Sequence, residues 1–325
     1  MSVEQKNISE LSPDRARMLL SVPSKTFLMG EYAVLQGMPA VILAHGPRFH
    51  LTIENDGVGA CEGIHPQSPA GRFIRANAKK FSKVSISFKD AHNGRGGFGA
   101  SSAQFILSYA WTQMGLGDWA QIQNVIDPKT MWQTFRDLHS SEPQLPSGGD
   151  IMAQTLGLAT TFQTMPWQLA TKAWPFANLA VILIPTGVKV ATHEHLRERL
   201  PLSDALLDLA KQGADAFAAG QSEAFLSAFR NYGEELERLQ LLTATSRGLI
   251  AQVASVPEVL AVKGCGALGA DVLAVMTRPE HLQEVQNILS AQGLKAVATS
   301  NDLQSGLRLE MELSPYQVER PQTWV

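Results

Sequence analysis

GRGGFGASSAQF, residues Gly94–Phe105, is the most informative stretch of this 325-residue chain. It follows a run of alternating polar and apolar residues, Lys83–Phe88, and it leads into an apolar segment of helical length. Glycines allow the backbone to turn several N–H groups toward one point, and the start of a helix adds the positive end of its dipole. The stretch therefore predicts an anion-binding loop between a strand and a helix.

Two other interpretations of this loop start from the same glycines. Gly94, Gly96 and Gly99 match the G-x-G-x-x-G pattern of dinucleotide-binding folds, which requires an acid at the end of the next strand. Asp118 has that spacing, but no strand-like run precedes it. Alternatively, the glycines serve only a tight turn, with the serines as helix caps. The chain lacks G-x-x-x-x-G-K-S/T, which excludes a P-loop NTPase.

Strand-like and helix-like runs interleave outward from the loop. Before it, two apolar runs separated by Gly37–Pro39 predict paired strands. The runs predicted after it are helices over 101–114, 129–139 and 150–158, a strand over 179–184, helices through 203–256, strands over 259–262 and 272–276, a helix over 279–292 and a strand over 307–311. Interleaving of this kind predicts an α/β or α+β fold, and the pattern changes near residue 175.

The charge balance and composition exclude several classes of protein. Lys and Arg number 27 against 30 Asp and Glu, which gives a formal net charge of −3. A protein that binds nucleic-acid backbones would need a basic face. Hydrophobic residues make up 45% of the chain, which excludes a disordered protein. We therefore expect a globular protein whose partner is a small molecule and not nucleic acid.

The cysteines and the apolar runs bear on location. Cys61 and Cys265 cannot form a disulfide framework, and neither has a Cys or His partner at metal-ligand spacing. The N-terminus is polar and lacks the apolar core of a signal peptide. The longest clean apolar run, Leu179–Ile184, is far shorter than the roughly 20 residues that span a bilayer. We expect a cytoplasmic protein with no membrane partner.

Five segments match, in order, the motifs of one kinase superfamily. They are PSKTFLMGEYAVLQG (Pro23–Gly37), GFGASSA (Gly97–Ala103), PSGGD (Pro146–Asp150), TGVKVAT (Thr186–Thr192) and KGCGALGAD (Lys263–Asp271). The corresponding patterns are P-G-K-x-x-L-x-G-E-H/Y-A-V-L-x-G, G-L-G-S-S-A, P-S-G-x-D, T-G-x-x-x-S/T and K-x-x-G-A-G-G-G. The chain thus resembles the GHMP kinases, named for galactokinase, homoserine kinase, mevalonate kinase and phosphomevalonate kinase.

The resemblance implies a two-domain fold and a pair of cofactors. Residues 1–175 would form an N-terminal mixed α/β domain that holds the phosphate loop, and residues 176–325 would form a ferredoxin-like C-terminal domain. The active site would lie in the cleft between them. ATP and Mg²⁺ are the implied cofactors, because phosphoryl transfer asks the protein mainly for positioning and charge neutralisation.

The resemblance also implies catalytic and metal-binding roles. Asp150 would accept or orient the proton of the substrate hydroxyl, and Lys25 would lie nearby, lowering the pKa of Asp150 and neutralising developing charge. By themselves, these residues could equally be a helix cap and a solvated lysine. Ser101 is the favoured Mg²⁺ ligand, with Ser102 as the alternative, and Glu142 is the nearest glutamate.

Binding roles follow in the same way. The ATP phosphates would be wrapped by Gly96, Gly97, Phe98, Gly99, Ala100, Ser101 and Ser102, with Arg95 adding charge. The residues implied to lie at the acceptor are Glu31, Tyr32, Ser147, Gly148 and Thr192. For Glu31 and Tyr32, support of the loop geometry is the alternative to substrate contact.

Several residues depart from the family patterns. Ser24 stands where the first motif has glycine. Leu268 and Ala270 replace glycines of the last motif, where a positive φ would cost about 1–2 kcal/mol, so we expect a different loop shape and weaker nucleotide binding. His139 stands where mevalonate kinases have an Mg²⁺-binding glutamate. His139 and Asp271 both look more like phosphomevalonate kinases.

The function that the resemblance implies is an ATP-dependent kinase of the mevalonate pathway, which makes isoprenoid precursors. It would phosphorylate phosphomevalonate or mevalonate. The alternatives are a GHMP kinase for a sugar or another small alcohol, a diphosphomevalonate decarboxylase, and a non-catalytic GHMP-fold protein that binds a ligand and regulates a partner. A homodimer is a candidate assembly.

Overall fold

The computed structural model describes residues 17–114, 126–187 and 202–312. Within these ranges the chain forms one sheet of seven strands and one of four, with helices packed on both. This arrangement confirms the predicted α/β (α+β) class.

The first sheet contains the strands from the first half of the chain and the last described strand. They are β1 (Arg17–Met29), β2 (Ala40–Glu54), β3 (Cys61–Glu62), β4 (Ser85–Lys89), β5 (Ala159–Gln163), β6 (Gln168–Lys172) and β11 (Arg308–Glu312), numbered along the chain. The order is β11-β1-β2-β4-β3, and β5 and β6 extend the sheet from the other half of β2. The strand pair predicted around Gly37–Pro39 is confirmed, because β1 and β2 are antiparallel. Their register shifts between Pro23 and Ser24, directly before Lys25, and such irregularities commonly re-aim a side chain.

Five helices accompany this sheet: α1 (Pro69–Ala76), α2 (Ala78–Phe81), α3 (Ala100–Gln113), α4 (Pro128–Asp137) and α5 (Gly149–Leu156). Helix α3 packs on α1, α5 and β1, which explains why it is apolar nearly all round. The predicted serine caps are wrong: Gly99 is the N-cap of α3, with a φ of 91°, and no side chain caps the helix.

The second sheet has a different topology. Its strands β7 (Ala180–Pro185), β8 (Val259–Cys265), β9 (Val272–Thr277) and β10 (Ala298–Thr299) are antiparallel in the order β10-β7-β9-β8. Helices α6 (Asp204–Ala219), α7 (Ser222–Arg238) and α8 (Ala244–Ala254) lie between β7 and β8 in the chain, and α9 (Leu282–Ala291) lies between β9 and β10. This strand and helix sequence is the β-α-β-β-α-β arrangement of ferredoxin-like folds.

A shared aromatic core joins the two sheets. Trp174 and Phe176, on the segment between β6 and β7, pack against Phe217 of α6 and Phe225 of α7 at centroid distances of 5.1–6.5 Å. Helix α6 also lies directly on β1, since a Cβ at Gly213 would come within 2.4 Å of the Met29 sulfur. The two sheets are therefore packed through a common interior.

The last strand departs from the predicted division of the chain. Strand β6 ends at Lys172 and β7 begins at Ala180, so the sheet changes on either side of residue 175. Strand β11, which we assigned to the second domain, instead pairs antiparallel with the start of β1. A single cut at residue 175 therefore does not separate the two sheets.

Candidate active site

The glycine loop leaves a run of backbone donors at the start of α3. The N–H groups of residues 96–102 donate to no acceptor among the residues that the structure describes. Gly97 and Gly99 have φ values of 92° and 91°, where side chains are rarely tolerated. A Cβ at Gly97 would lie 2.4 Å from the Cβ of Asp271, and one at Gly99 would lie 3.0 Å from the Cγ of Lys25. Free N–H groups at a helix N-terminus are suited to binding an anion.

Phe98 anchors this loop. Its ring is 2% exposed, stacks on His92 with centroids 4.0 Å apart, and meets His45 edge-on at 6.1 Å. His92 Nε2 lies 2.6 Å from Ser24 Oγ, and Ser24 Oγ donates to the Pro47 carbonyl at 2.6 Å. Because the serine has one proton and the carbonyl only accepts, His92 donates from Nε2. Ser24, which replaces the family's glycine, thus holds the ring on which Phe98 rests.

Both histidines around Phe98 are neutral at pH 7. Burial lowers the pKa of His45 to about 4, and burial also lowers the pKa of His92. His45 Nδ1 lies 2.7 Å from the Gly46 carbonyl, so it carries the proton, and Nε2 accepts from Thr26 Oγ1 at 2.9 Å. The loop is therefore supported by uncharged rings with fixed tautomers.

Lys25 lies against the glycine loop. Its Nζ donates to the Gly97 carbonyl at 3.0 Å, and its backbone N–H donates to the Phe98 carbonyl at 3.0 Å. The ammonium is also 5.4 Å from the centroid of the Phe27 ring. Among the described residues, no carboxylate lies within 4.0 Å of Lys25 Nζ, so Lys25 and Asp150 do not form an ion pair. The structure brings the predicted lysine to the predicted phosphate loop.

Asp150 lies in the first turn of α5. Its Oδ1 accepts the N–H of Ile151 at 3.0 Å, and the helix is preceded by Gly148 at a φ of 77°. A Cβ at Gly149 would lie 3.0 Å from Phe27 Cζ, so this turn packs on the ring that Lys25 also approaches. Asp150 is half-buried. The Lys25 ammonium and the turn that carries Asp150 therefore approach the same aromatic ring.

The two serines of the loop differ in environment. Ser102 is 2% exposed, and its Oγ lies 2.6 Å from Gln154 Oε1 and 3.0 Å from the Gly99 carbonyl. Gln154 Nε2 in turn donates to the Pro23 carbonyl at 2.8 Å. This network ties α3, α5 and β1 together. Ser101 is exposed, so its hydroxyl is the one that remains accessible to a ligand.

Glu31 is engaged in a buried ion pair and not open to a substrate. Its Oε1 lies 2.5 Å from Lys263 Nζ, with the side chains 6% and 1% exposed. Glu31 belongs to the turn after β1, and Lys263 belongs to β8, so the pair joins the two sheets. Burial raises the pKa of the Glu31 carboxyl, although Lys263 works in the opposite direction. Of the two roles considered for Glu31, these contacts favour support of the loop geometry.

The glycine loop of the last motif meets the first one. The Asp271 side chain lies between them, since a Cβ at Gly266 would come within 2.1 Å of Asp271 Oδ2, much as a Cβ at Gly97 would meet the Asp271 Cβ. Leu268 adopts a φ of 51°. The sequence predicted a different loop shape, because a positive φ is costly for a residue that carries a side chain. The Leu268 N–H donates to Tyr32 Oη at 2.8 Å, which helps to offset the strain.

The remaining predicted residues divide into three groups. Ser147 and Gly148 lie beside α4: Trp132 Nε1 donates to the Ser147 carbonyl at 2.7 Å, and a Cβ at Gly148 would lie 2.5 Å from Trp132 Cδ1. Glu142 Oε1 lies 3.5 Å from Arg72 and 3.9 Å from His139. This pairing competes with the predicted metal role of Glu142. Thr192 lies outside the described residues.

Sequence reasoning missed a cavity beside the acid motif. It has a volume of about 810 Å³, and its lining includes Tyr32, Trp132, Arg136 and Ser147. Of these four residues, Tyr32 and Ser147 lie in the motifs quoted above, and Trp132 and Arg136 do not. Trp132 and Arg136 could have been paired from sequence by their spacing, because residues four apart on a helix such as α4 lie on one face.

Two absences concern the described part of the chain. Residues 17–114, 126–187 and 202–312 contain no group of three or more His, Cys, Asp or Glu side chains arranged to hold a metal ion. In the same ranges no helix has both the length and the apolar character needed to cross a bilayer.

Comparison with known proteins identifies the fold. No protein-family model matches the chain, and no curated protein matches its sequence. Among solved structures, the phosphomevalonate kinase of Streptococcus pneumoniae is similar with a TM-score of 0.69 and 15% identity, over 87% of this chain and 99% of that chain. The mevalonate kinase of Methanococcus jannaschii gives 0.64 and 13%, over 90% and 96%. The galactokinase of Lactococcus lactis, complexed with galactose, gives 0.66 and 11%, over 90% and 95%. The chain therefore has the fold of the GHMP kinases.

Proposed function

We propose that this protein is an ATP-dependent kinase that phosphorylates mevalonate or phosphomevalonate. The observation that carries the proposal is the run of N–H donors at residues 96–102, which precedes α3 and has the Lys25 ammonium beside it. Such a loop offers hydrogen-bond donors, a helix dipole and a cation to one polyphosphate. The fold and the order of the motifs support a kinase over another anion-binding protein.

Asp150 and Lys25 supply the proposed chemistry. An acceptor oxygen forms a bond to the γ-phosphorus of ATP while the bond from that phosphorus to the β–γ bridging oxygen breaks, and ADP leaves. When the acceptor is a hydroxyl, its proton passes to the Asp150 carboxylate. Lys25, held at the Gly97 carbonyl at 3.0 Å, neutralises charge on the transferred group. The proposed mechanism therefore needs an accessible carboxylate, which Asp150 provides, and an accessible cation, which Lys25 provides.

Ser101 fits a Mg²⁺ ion bound together with nucleotide. Mg²⁺ usually takes one or two protein ligands and completes its shell with phosphate oxygens and water, so the lack of a three-residue cluster among the described side chains is compatible with it. Ser101 is exposed in the first turn of α3, whereas Ser102 is occupied by Gln154. When bound, the ion would neutralise charge on the phosphates. The Glu142 carboxylate is already paired with Arg72, so it is not among the proposed Mg²⁺ ligands.

Two residues and one of the similar structures support phosphomevalonate as the acceptor. His139 and Asp271 stand at positions where the resemblance favours phosphomevalonate kinases. One of the similar structures is a phosphomevalonate kinase in complex with phosphomevalonate and AMPPNP. Mevalonate remains the second acceptor of this proposal, and location in the cytoplasm and a homodimer remain predictions.

The test is acceptor-dependent release of ADP. ATP and Mg²⁺ are supplied with mevalonate, phosphomevalonate, galactose or homoserine, and a reaction without acceptor measures ATP hydrolysis alone. We expect turnover with mevalonate or phosphomevalonate well above that background. ATP binding without turnover on any acceptor would instead favour the regulatory binding protein, and turnover only with galactose or homoserine would contradict the proposed acceptor.

A further inference from the structure

The cavity beside the acid motif has one charged side chain in its described lining. Its volume is about 810 Å³, and the other described residues around it are apolar or uncharged polar. The charged residue is Arg136, which lies on α4. A cavity of this size matches a small molecule, and few convergent polar groups usually set the orientation of such a ligand.

Arg136 is held in place on the cavity wall. Its guanidinium lies 4.6 Å from the centroid of the Trp132 ring, and its Nη1 donates to the Pro146 carbonyl at 3.3 Å. Trp132 is itself fixed, because its Nε1 donates to the Ser147 carbonyl at 2.7 Å. Stacking on an indole sets the plane of the guanidinium, so its remaining donors point in defined directions.

Arg136 lacks an anionic partner among the described residues. No described carboxylate lies within 4.0 Å of it, and among the described residues its hydrogen-bond acceptor is the Pro146 carbonyl. Partial burial lowers the pKa of Arg136, as expected for a desolvated cation.

Arg48 shows the contrast, since its Nε, Nη1 and Nη2 all donate to protein oxygens. A half-buried guanidinium with free donors in a cavity is suited to an anionic ligand.

We propose that Arg136 binds the carboxylate of the acceptor, at the end remote from the oxygen that is phosphorylated. A single lining cation balances a monoanion, which favours a carboxylate over a phosphate dianion. Ser147 lines the cavity and precedes Asp150 by three residues, a span of at most roughly 11 Å. Asp150 is not part of the described lining, so the proposal requires a short acceptor that extends from the cavity, with its carboxylate at Arg136 and its reacting oxygen at Asp150. This inference rests on the proposed kinase function.

The test compares mevalonate, phosphomevalonate and the neutral carboxamide of mevalonate as acceptors, in the wild type, Arg136→Met, Arg136→Lys and Arg230→Met. Arg230 is an exposed arginine that donates to the Leu260 carbonyl away from the cavity, so its variant controls for loss of one positive charge. Arg and Met have similar helix propensities, which protects α4.

For Arg136→Met we expect the KM for mevalonate to rise about 10- to 100-fold with a smaller change in kcat. The carboxamide should be equally poor for the wild type and this variant. Arg136→Lys should recover part of the selectivity.

The outcomes separate the inference from the proposed function. Equal losses for mevalonate and the carboxamide, or a wild-type KM in Arg136→Met, would overturn the role of Arg136 while the kinase function stands. An effect on phosphomevalonate but not on mevalonate would assign Arg136 to a phosphate and would also overturn it. If the wild type phosphorylates no acceptor, the function fails, and calorimetric binding of mevalonate to the wild type and Arg136→Met then decides the subsite. Equal binding or no binding rejects it.

Discussion

Removing either member of the Glu31–Lys263 pair should destabilise the protein strongly. The side chains are 6% and 1% exposed and their charged atoms are 2.5 Å apart, so neither charge can be rehydrated without opening the structure. Breaking a pair buried to this degree costs about 3–5 kcal/mol, most of it from the charge that remains unpaired. We therefore expect each single variant to lose a large part of a typical folding free energy.

The surroundings predict which single variant is worse. In Glu31→Gln, Lys263 keeps its hydrogen bond to the Gly264 carbonyl at 3.1 Å and lies 5.5 Å from the centroid of the Tyr232 ring. We place this loss near 3 kcal/mol. In Lys263→Met the carboxylate loses its one partner, while its Oε2 already has none among the described residues. We place this second loss near 5 kcal/mol.

The double variant Glu31→Gln/Lys263→Met measures the coupling. Because it buries no charge, it should be more stable than Lys263→Met, so with single losses near 3 and 5 kcal/mol the coupling free energy should exceed about 3 kcal/mol in urea unfolding monitored by circular dichroism. If Lys263→Met does not fold, restored folding in the double variant reports the same coupling. Losses that simply add would refute the claim that this pair joins the two sheets as a unit.

Three further predictions concern the loop and its support. Gly97→Ala should weaken ATP binding at least 10-fold by calorimetry, because the added Cβ would lie 2.4 Å from the Asp271 Cβ. Gly94→Ala is the matched control, since Gly94 also has a positive φ, 80°, but no neighbour within 4 Å of its added Cβ. Equal ATP affinities of the two variants would contradict the clash. Ser24→Ala should raise the KM for ATP several-fold with little change in kcat, since it removes the hydrogen bond that holds His92 and is worth about 1 kcal/mol; an unchanged KM would argue against this support. Burial lowers the pKa of His45 from 6.5 to about 4, so the neutral imidazole stabilises the folded state fully above pH 6.5, and this stabilisation is lost as the pH falls toward 4. The free energy of unfolding of the wild type should therefore fall by about 3 kcal/mol over this range, and His45→Gln should reduce that fall. Identical pH profiles for the two proteins would contradict this prediction.

The sequence predicted the fold well where a local pattern and its tertiary role coincide. Helix α3 begins within one residue of the prediction, because glycines must precede it and an apolar face must follow. The strand pair on either side of Gly37 was also predicted correctly, because a turn segment between two apolar runs specifies two adjacent strands. The pairing of β11 with β1 escaped prediction because it joins segments almost 300 residues apart, and no local pattern records such a contact.

The candidate site was only partly accessible from sequence. The motif resemblance implied that Lys25 lies near Asp150, whereas the contact that the structure shows for its Nζ is with the Gly97 carbonyl of the glycine loop at 3.0 Å. Glu31 was open to two interpretations, because a carboxylate in a motif looks the same whether it meets a substrate or a buried lysine 232 positions away. Arg136 carries no motif at all. Its relevance arises from its stacking on Trp132 and from the cavity beside it, both products of tertiary packing.

The most direct measurement of the central claim is turnover of Asp150→Asn beside its affinity for ATP. The control is Asp137→Asn, an exposed aspartate on α4 that accepts a hydrogen bond from Gln133. If the glycine loop binds ATP and Asp150 handles the acceptor proton, the Asp150→Asn variant should bind ATP within about 3-fold of the wild type while kcat falls at least 100-fold, in the range typical of lost acid–base groups. The control should keep both values. A folded Asp150→Asn protein with wild-type turnover would contradict the proposed site.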